Sequence, residues 1–403
     1  MNALKTRSLA AVDPALPALG VLFDPPRLSA LLGRPVRADR LRHKPGVSVV
    51  ARLREDDGGI RWLTAYAPGK GVKVEKTLRR AAVTGVVLEA IPLPEAPGQS
   101  MVSGPIELDP RLYKTLRPLR NSGILEECSV LNYNPHRRVV FAVGQDHTRT
   151  VCKTGSAHRA DAELLERLVA GGVPVLTQAN PAGLPELGQL RYFPWFGSGD
   201  LSKQPADRPG TARTDAPAFA AGQALALLHA QPPVSSTPGL HAPAAALAHH
   251  VARNSSLLPP LAGRLEILSA ALEPLLRRPG HAGLIHGDFS ADQVLVDGSD
   301  IRLTDLDRCT YGAAASDLGC FAAVELLQKP VSTQVQDVLA LPLTRLMLAG
   351  YRAGPRDVER EEVLPWVVFH LLSRLGDPFR SCSPNWSEDI EARLDLMEGL
   401  LWG

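Results

Sequence analysis

Cysteine is scarce in this chain. Cys128, Cys152, Cys309, Cys320 and Cys382 are the only five in 403 residues, and they show no paired metal-ligand spacing. That excludes a disulfide scaffold and a cysteine zinc site and points to buried, reduced thiols. Long apolar runs are missing too. No stretch reaches the roughly 18 apolar residues that cross a bilayer. Lys5 and Arg7 are followed by Pro14 and Pro17, not by the apolar core of a secretory leader. The expectation is a soluble, cytoplasmic protein. Charge of one sign is also lacking. Lys and Arg number 44 against 42 Asp and Glu, for a formal net charge of +2. With no dense basic run, neither nucleic acid nor a membrane is expected as a partner. The oligomeric state is left open.

What the chain does have is length and apolar content. Its 403 residues suit two or three packed lobes, and 45% hydrophobic residues can build a sizeable core. Residues 1–125 mix short apolar runs with turn formers such as Asp56-Asp57-Gly58-Gly59. Residues 126–201 read as strands around one helix. Val139–Val143 and Thr150–Lys153 form a hairpin pattern, and Ala162, Leu164, Leu165 and Leu168 follow at helical spacing. Residues 202–214 lack periodicity and read as a linker. The remainder of 202–403 is mostly helical, with helices expected over 218–230 (Pro217 just before it), 261–276, 318–328, 332–352 and 390–401. Strands first and helices later imply an α+β protein with segregated lobes.

A faint repeat runs through the first half. His43-Lys44-Pro45-Gly46-Val47-Ser48-Val49-Val50 aligns with Tyr133-Asn134-Pro135-His136-Arg137-Arg138-Val139-Val140 at an offset of 90. At that offset Leu63 falls on Lys153. The first 125 residues are therefore a candidate second copy of the hairpin, without its lysine.

The densest chemistry lies further on. Leu284-Ile285-His286-Gly287-Asp288 delivers a histidine and a carboxylate from an apolar run into a loop. Gln293 leads into a second apolar run that turns at Asp297-Gly298-Ser299-Asp300. A third run, Ile301-Arg302-Leu303-Thr304, delivers Asp305 and Asp307. If the last two runs form a hairpin, Asp288, Gln293 and Asp305 converge. Hard oxygen donors at one spot suit Mg²⁺ together with phosphate oxygens. A carboxylate left off the metal can take a proton from an attacking hydroxyl. The weaker alternative is a sugar-nucleotide transferase using Asp305-Leu306-Asp307 for its metal, which leaves His286 and Asp288 without a role.

This order of residues resembles the aminoglycoside phosphotransferase and choline kinase-like family, whose loop reads H-G-D-x-x-x-x-N with an I-D-x-E/D segment after it. The resemblance covers about residues 126–403 and is most specific at this loop. It implies a bilobal protein-kinase-like fold with a β-rich N-lobe (126–201), a mostly helical C-lobe (202–403) and an extra N-terminal lobe (1–125). It also implies ATP as co-substrate, Mg²⁺ as cofactor and a small hydroxyl-bearing acceptor, such as a sugar, aminoglycoside or amino alcohol. By the match Asp288 is the base, His286 braces the loop, Gln293 and Asp305 hold metal, and Asp307 takes the accessory acidic place. Asp317 caps the helix it starts and holds the loop, and His229 is a packed or capping histidine. Lys153 is the phosphate lysine, with Asp161 at the place of its acidic partner. Glu163 is the nearby substitute, pointing about 200° round the helix. Gln293 stands where the family has Asn, Asp161 where it has Glu, and no G-x-G-x-x-G precedes Lys153. Arg137 and Arg138 sit at the turn instead. These departures support the alternative of a pseudokinase-like nucleotide- or metabolite-binding protein.

Overall fold

The computed structural model describes residues 12–403 except 87, 95, 97–98, 146–148, 155–161, 187, 204–211, 233–242, 331–334 and 355–357. The chain divides into two compact units. The first comprises Met1–Ser156, Ala179–Phe193 and Gly376–Ile390; the second comprises Ala157–Gln178, Pro194–Leu375 and Glu391–Gly403.

After a short helix at Ala18–Leu22, the first unit has a helix with complete end signals. In α1 (Pro25–Leu32) the Asp24 side chain accepts from Arg27 N–H, Pro25 fills the first turn, and left-handed Gly33 closes the helix. A five-stranded sheet follows, built from β1 (Val36–Lys44), β2 (Ser48–Glu55), β3 (Ile60–Tyr66), β4 (Glu89–Pro92) and β5 (Ser100–Pro105). Its order is β1-β2-β3-β5-β4, and α2 (Gly71–Ala82) joins β3 to β4. After α3 (Tyr113–Asn121) comes a second sheet of β6 (Ser129–Asn134), β7 (Arg138–Val143), β8 (Thr150–Thr154) and β9 (Leu190–Pro194), in that order. Trp62 of the first sheet and Tyr133 and Cys152 of the second are fully buried in one apolar core with Leu116 of α3.

The two sheets begin with the same ladder. In the first, Asp39 pairs with Arg52, Arg42 with Val50 and Lys44 with Ser48. In the second, Ser129 pairs with Ala142, Asn132 with Val140 and Asn134 with Arg138, each 90 positions later. The register slips at corresponding places, between Asp39 and Arg42 and between Val130 and Asn132. Each turn carries a left-handed residue at the same point, Gly46 (φ 64°) and His136 (φ 60°). The third strands differ by one residue. Val50 pairs with Thr64, whereas Val140 pairs with Lys153. Thr64, not Leu63, therefore occupies the rung that Lys153 holds in the second sheet. The chain from Val140 to its partner Lys153 is one residue shorter than that from Val50 to its partner Thr64, and an alignment without gaps does not see that.

The second unit is mostly helical: α4 (Ala162–Ala170), α5 (Ala212–His229), α6 (Pro243–Leu257), α7 (Ala262–Leu276), α8 (Ala314–Leu327), α9 (Pro342–Arg352), α10 (Arg360–Ser373) and most of α11 (Trp386–Trp402). Helices α5 and α9 touch through glycines. A Cβ on Gly222 would lie 1.9 Å from the Met347 carbonyl oxygen, and one on Gly350 would lie 1.9 Å from that of Phe219. Two short antiparallel units carry the loops of interest. One pairs β11 (Ala282–Ile285) with β14 (Thr310–Ala313). The other joins β10 (Gly199–Asp200) to the hairpin of β12 (Val294–Asp297) and β13 (Asp300–Leu303).

Several helix bounds differ from the sequence reading; α8, for one, begins at Ala314 rather than 318. Helix α5 begins at Ala212, so Pro217 lies inside it and 212–214 are helix rather than linker. The helix expected over 332–352 is a 3₁₀ turn at Val338–Ala340 and then α9. Pro342 explains the break, because it forces Leu341 into an extended conformation (ψ 143°). The last helix begins at Trp386, four residues before the expected 390.

Candidate active site

Strand β11 ends at Ile285 and hands the chain to His286, Gly287 and Asp288. Asp317, in the first turn of α8, fixes this loop. Its Oδ2 accepts from His286 N–H at 2.6 Å and its Oδ1 from Gly287 N–H at 2.9 Å. His229, at the end of α5, donates through Nε2 to the same carboxylate at 3.1 Å. A carboxylate only accepts, so Nε2 carries a proton, and Nδ1 lies 2.9 Å from the Tyr351 hydroxyl. Asp317 is 1% exposed. Burial raises its pKa, but the His229 hydrogen bond, the His229 and His286 charges and the His286 N–H outweigh that and hold the carboxyl below the ordinary value. The carboxylate does not cap its own helix, whose N-cap is Ala313.

Gly287 has φ 82°, and a Cβ there would meet the Arg308 carbonyl oxygen at 2.5 Å. Only glycine satisfies both the left-handed backbone and this close approach. The buried His286 ring donates from Nε2 to the Thr304 carbonyl oxygen at 2.9 Å. The Asp288 carboxylate is gripped on both sides. Arg374 Nη2, at the end of α10, donates to Oδ1 at 2.6 Å, and Arg308 Nη1 lies 3.0 Å from Oδ2. Neither arginine was signalled by the sequence, since both stand outside the His-Gly-Asp motif.

The β12–β13 hairpin brings two more of the expected residues together. Val294 pairs with Leu303, and just beyond that rung Thr304 N–H donates to the Gln293 carbonyl oxygen at 3.0 Å. Gln293 and Asp305 thus flank the same end of the hairpin. Asp305 is a non-glycine residue in the left-handed region (φ 63°), immediately before the 3₁₀ turn Leu306–Arg308 that carries Asp307. Such a strained backbone is held by its surroundings, here by Thr304 under the His286 ring. An amide and carboxylates are hard oxygen donors, which fits Mg²⁺ shared with phosphate oxygens. Among the described residues, no three His, Cys, Asp or Glu side chains gather as a metal-holding group.

Cys309 and Cys320 flank the loop. Burial first, with Asp317 adding to it, pushes the Cys309 thiol up to about 12. Burial does the same for Cys320, against the opposing charge of Arg374. Neither is a thiolate nucleophile at neutral pH.

Lys153 is half-buried on β8 of the first unit. Arg137 and Arg138 lie at the β6–β7 turn of that unit. Asp161 lies outside the described residues, and Glu163 is exposed on α4.

A β-rich unit with a lysine on its third hairpin strand, and a mostly helical unit with an aspartate loop beside an acidic hairpin, define an α+β kinase-like fold. The class is the small-molecule phosphotransferases. Residues 136–353 match the model of the phosphotransferase enzyme family (APH), and the chain belongs to that family. Residues 1–135 lie outside the match. Among solved structures, an amicoumacin kinase gives a TM-score of 0.52 at 14% identity, over 73% of this chain and 95% of that one. A choline/ethanolamine kinase family protein from Mesorhizobium loti gives 0.48 at 14%, over 72% and 95%. An aminoglycoside-3'-phosphotransferase of type VIII gives 0.46 at 21%, over 64% and 98%. No curated protein matches the chain. Among the described residues no helix is long and apolar enough to cross a membrane.

Proposed function

We propose that this protein transfers the γ-phosphoryl group of ATP to a hydroxyl of a small molecule. The observation that carries the reading is the loop His286–Asp288, pinned by Asp317 and joined through the His286–Thr304 hydrogen bond to the hairpin end bearing Gln293 and Asp305. Asp288 orients the acceptor hydroxyl and accepts its proton on a carboxylate oxygen. His286 braces the loop. Asp305 and Gln293, with Asp307 beside them, would hold Mg²⁺, which when bound neutralises charge on the phosphates. Lys153 pairs with the phosphates, with Asp161 or Glu163 as its acidic partner. The amicoumacin kinase was solved with AMP-PNP and Ca²⁺, which supports a nucleotide and a divalent cation here.

The double grip on Asp288 favours one second reading, a nucleotide- or metabolite-binding protein with little turnover. In that reading Arg308 and Arg374 keep both carboxylate oxygens occupied.

An ATP-consumption screen across sugars, aminoglycosides and amino alcohols tests the two. Asp288→Asn should bind ATP as the wild type does and lose about 10²–10⁴-fold in turnover. Asp305→Ala should abolish the Mg²⁺ dependence of ATP affinity. Undiminished turnover by Asp288→Asn sinks the first reading. ATP binding without turnover on any acceptor selects the second.

A further inference from the structure

Three guanidinium groups of the first unit lie round one turn without an ion-pair partner among the described residues. Arg42 is on β1, on the rung of Val50, and that rung continues to Thr64 on β3. Side chains on one rung point to one face. Arg42 therefore shares the face from which Thr64 Oγ1 meets His136 Nε2 at 3.2 Å. Arg137 follows His136 at the exposed tip of the β6–β7 turn. Arg111 is tied to the same turn through Asp109. That carboxylate accepts from Arg111 N–H at 2.9 Å and from His136 N–H at 2.7 Å.

Available negative charge does not balance the three. Asp109 is fully buried, and its oxygens also accept from Leu112 N–H and the Tyr133 hydroxyl. It offsets one charge of three and has no acceptor position left for a guanidinium. Asp39, on the same strand as Arg42, is engaged by Arg52 and Arg54. Burial, then the charges of Arg111 and Arg137, pull the Arg42 pKa below the usual arginine value, with Asp109 opposing. Arg42, half-buried on the rung of Val50 and Thr64, is held against repulsion that Asp109 relieves only in part.

We propose that Arg42, Arg111 and Arg137 form a binding site for an oligophosphate anion, with the first sheet lending one of its three ligands. Planar guanidinium forks match phosphate oxygens in pairs. The two charges left after Asp109 call for more than a single monoanion. The anion is either the phosphate chain of a nucleotide or a separate phosphorylated ligand. The nucleotide source rests on the reading under Proposed function; the cluster itself does not.

The test is calorimetric titration of the full chain with inorganic tripolyphosphate at low ionic strength. Arg42→Gln and Arg111→Gln should each weaken binding at least roughly tenfold, the loss expected for a hydrogen bond to a charged group. Arg79→Gln, on the exposed side of α2, should leave it unchanged. Without ligand, Arg42→Gln should melt no lower than wild type, because it relieves repulsion; a merely structural arginine would cost stability. Exposed Arg111 keeps the test sound should Arg42→Gln fold poorly. Wild type that ignores tripolyphosphate, or variants that bind it equally well, overturn the site. If ATP competes with tripolyphosphate and loses affinity in Arg42→Gln, the anion is the nucleotide's. If the two bind independently, it is a second ligand. Should ATP not bind at all, the kinase reading falls, and the tripolyphosphate titration still decides on the cluster.

Discussion

Arg374 donates to Asp288 through Nη2 at 2.6 Å, and its Nη1 donates to Ser373 Oγ at 3.1 Å. This arginine is built in: its side chain is 20% exposed, against 65% for Arg308 on the other carboxylate oxygen. The two should respond differently to removal. Arg374→Ala should cost about 1.5–3 kcal/mol, the range for a hydrogen bond to a charged group. Arg308→Ala should cost less than about 1 kcal/mol, as an exposed ion pair does. Urea unfolding midpoints of the two variants check this; equal losses would show that Arg308 is as fixed as Arg374.

Gly287→Ala asks the loop for two things at once, a left-handed alanine and room for a Cβ 2.5 Å from the Arg308 carbonyl oxygen. The left-handed conformation alone costs roughly 1–2 kcal/mol. The variant should fold with reduced stability and displace Asp288, so turnover should fall further than nucleotide affinity. Wild-type turnover in Gly287→Ala would mean that the loop tolerates movement.

Asp317→Asn replaces an acceptor of three N–H groups by an amide that must turn a donor toward one of them. Breaking a buried charged network of this kind costs about 3–5 kcal/mol. The pH dependence has a definite sign. The folded carboxyl titrates below 3.8. Its contribution is therefore complete above that value and lost as pH falls through the lower, folded pKa. Acid unfolding of wild type against Asp317→Asn should converge below that range and separate above it.

His136 titrates the other end of the scale. Burial lowers its pKa below 6.5, Asp109 opposes, and Arg42 and Arg111 reinforce the lowering. The fold prefers the neutral ring, while the unfolded chain takes up a proton near 6.5. Stability from this residue is then full above 6.5 and falls as pH drops toward the folded value. Asn tolerates the left-handed backbone. His136→Asn should thus fold and show a shallower stability slope between pH 6.5 and 5.5. Parallel slopes for the two proteins would refute the assignment.

Much of this was legible in the residues. The α+β class followed from strands preceding helices, and the loop residues His286, Asp288, Gln293 and Asp305 stand in the order their hairpin needs. Turn chemistry made that possible, because Gly287 and Gly298 mark the places where the chain must reverse. The arginines on Asp288 were not legible, since side chains 20 and 86 positions away meet it only through tertiary packing. The arginine cluster escaped for the same reason. Arg42, Arg111 and Arg137 are dispersed in a chain of net charge +2, and no sequence window shows them together. The lysine rung was misplaced by one because a span one residue shorter between equivalent rungs shifts register without leaving a mark in composition.

The first unit is finished late. Residues Gly376–Ile390 belong to it. The Phe379 ring lies 5.3 Å from Phe23, and that of Trp386 lies 6.4 Å from Phe23. A ribosome making about 5–20 residues per second releases Phe23 on the order of 20–70 s before Phe379. Throughout that interval the nascent chain carries an unfinished apolar seam, a natural landing place for a holdase chaperone. A premature stop after Leu375 would therefore first damage the part of the protein that is translated first.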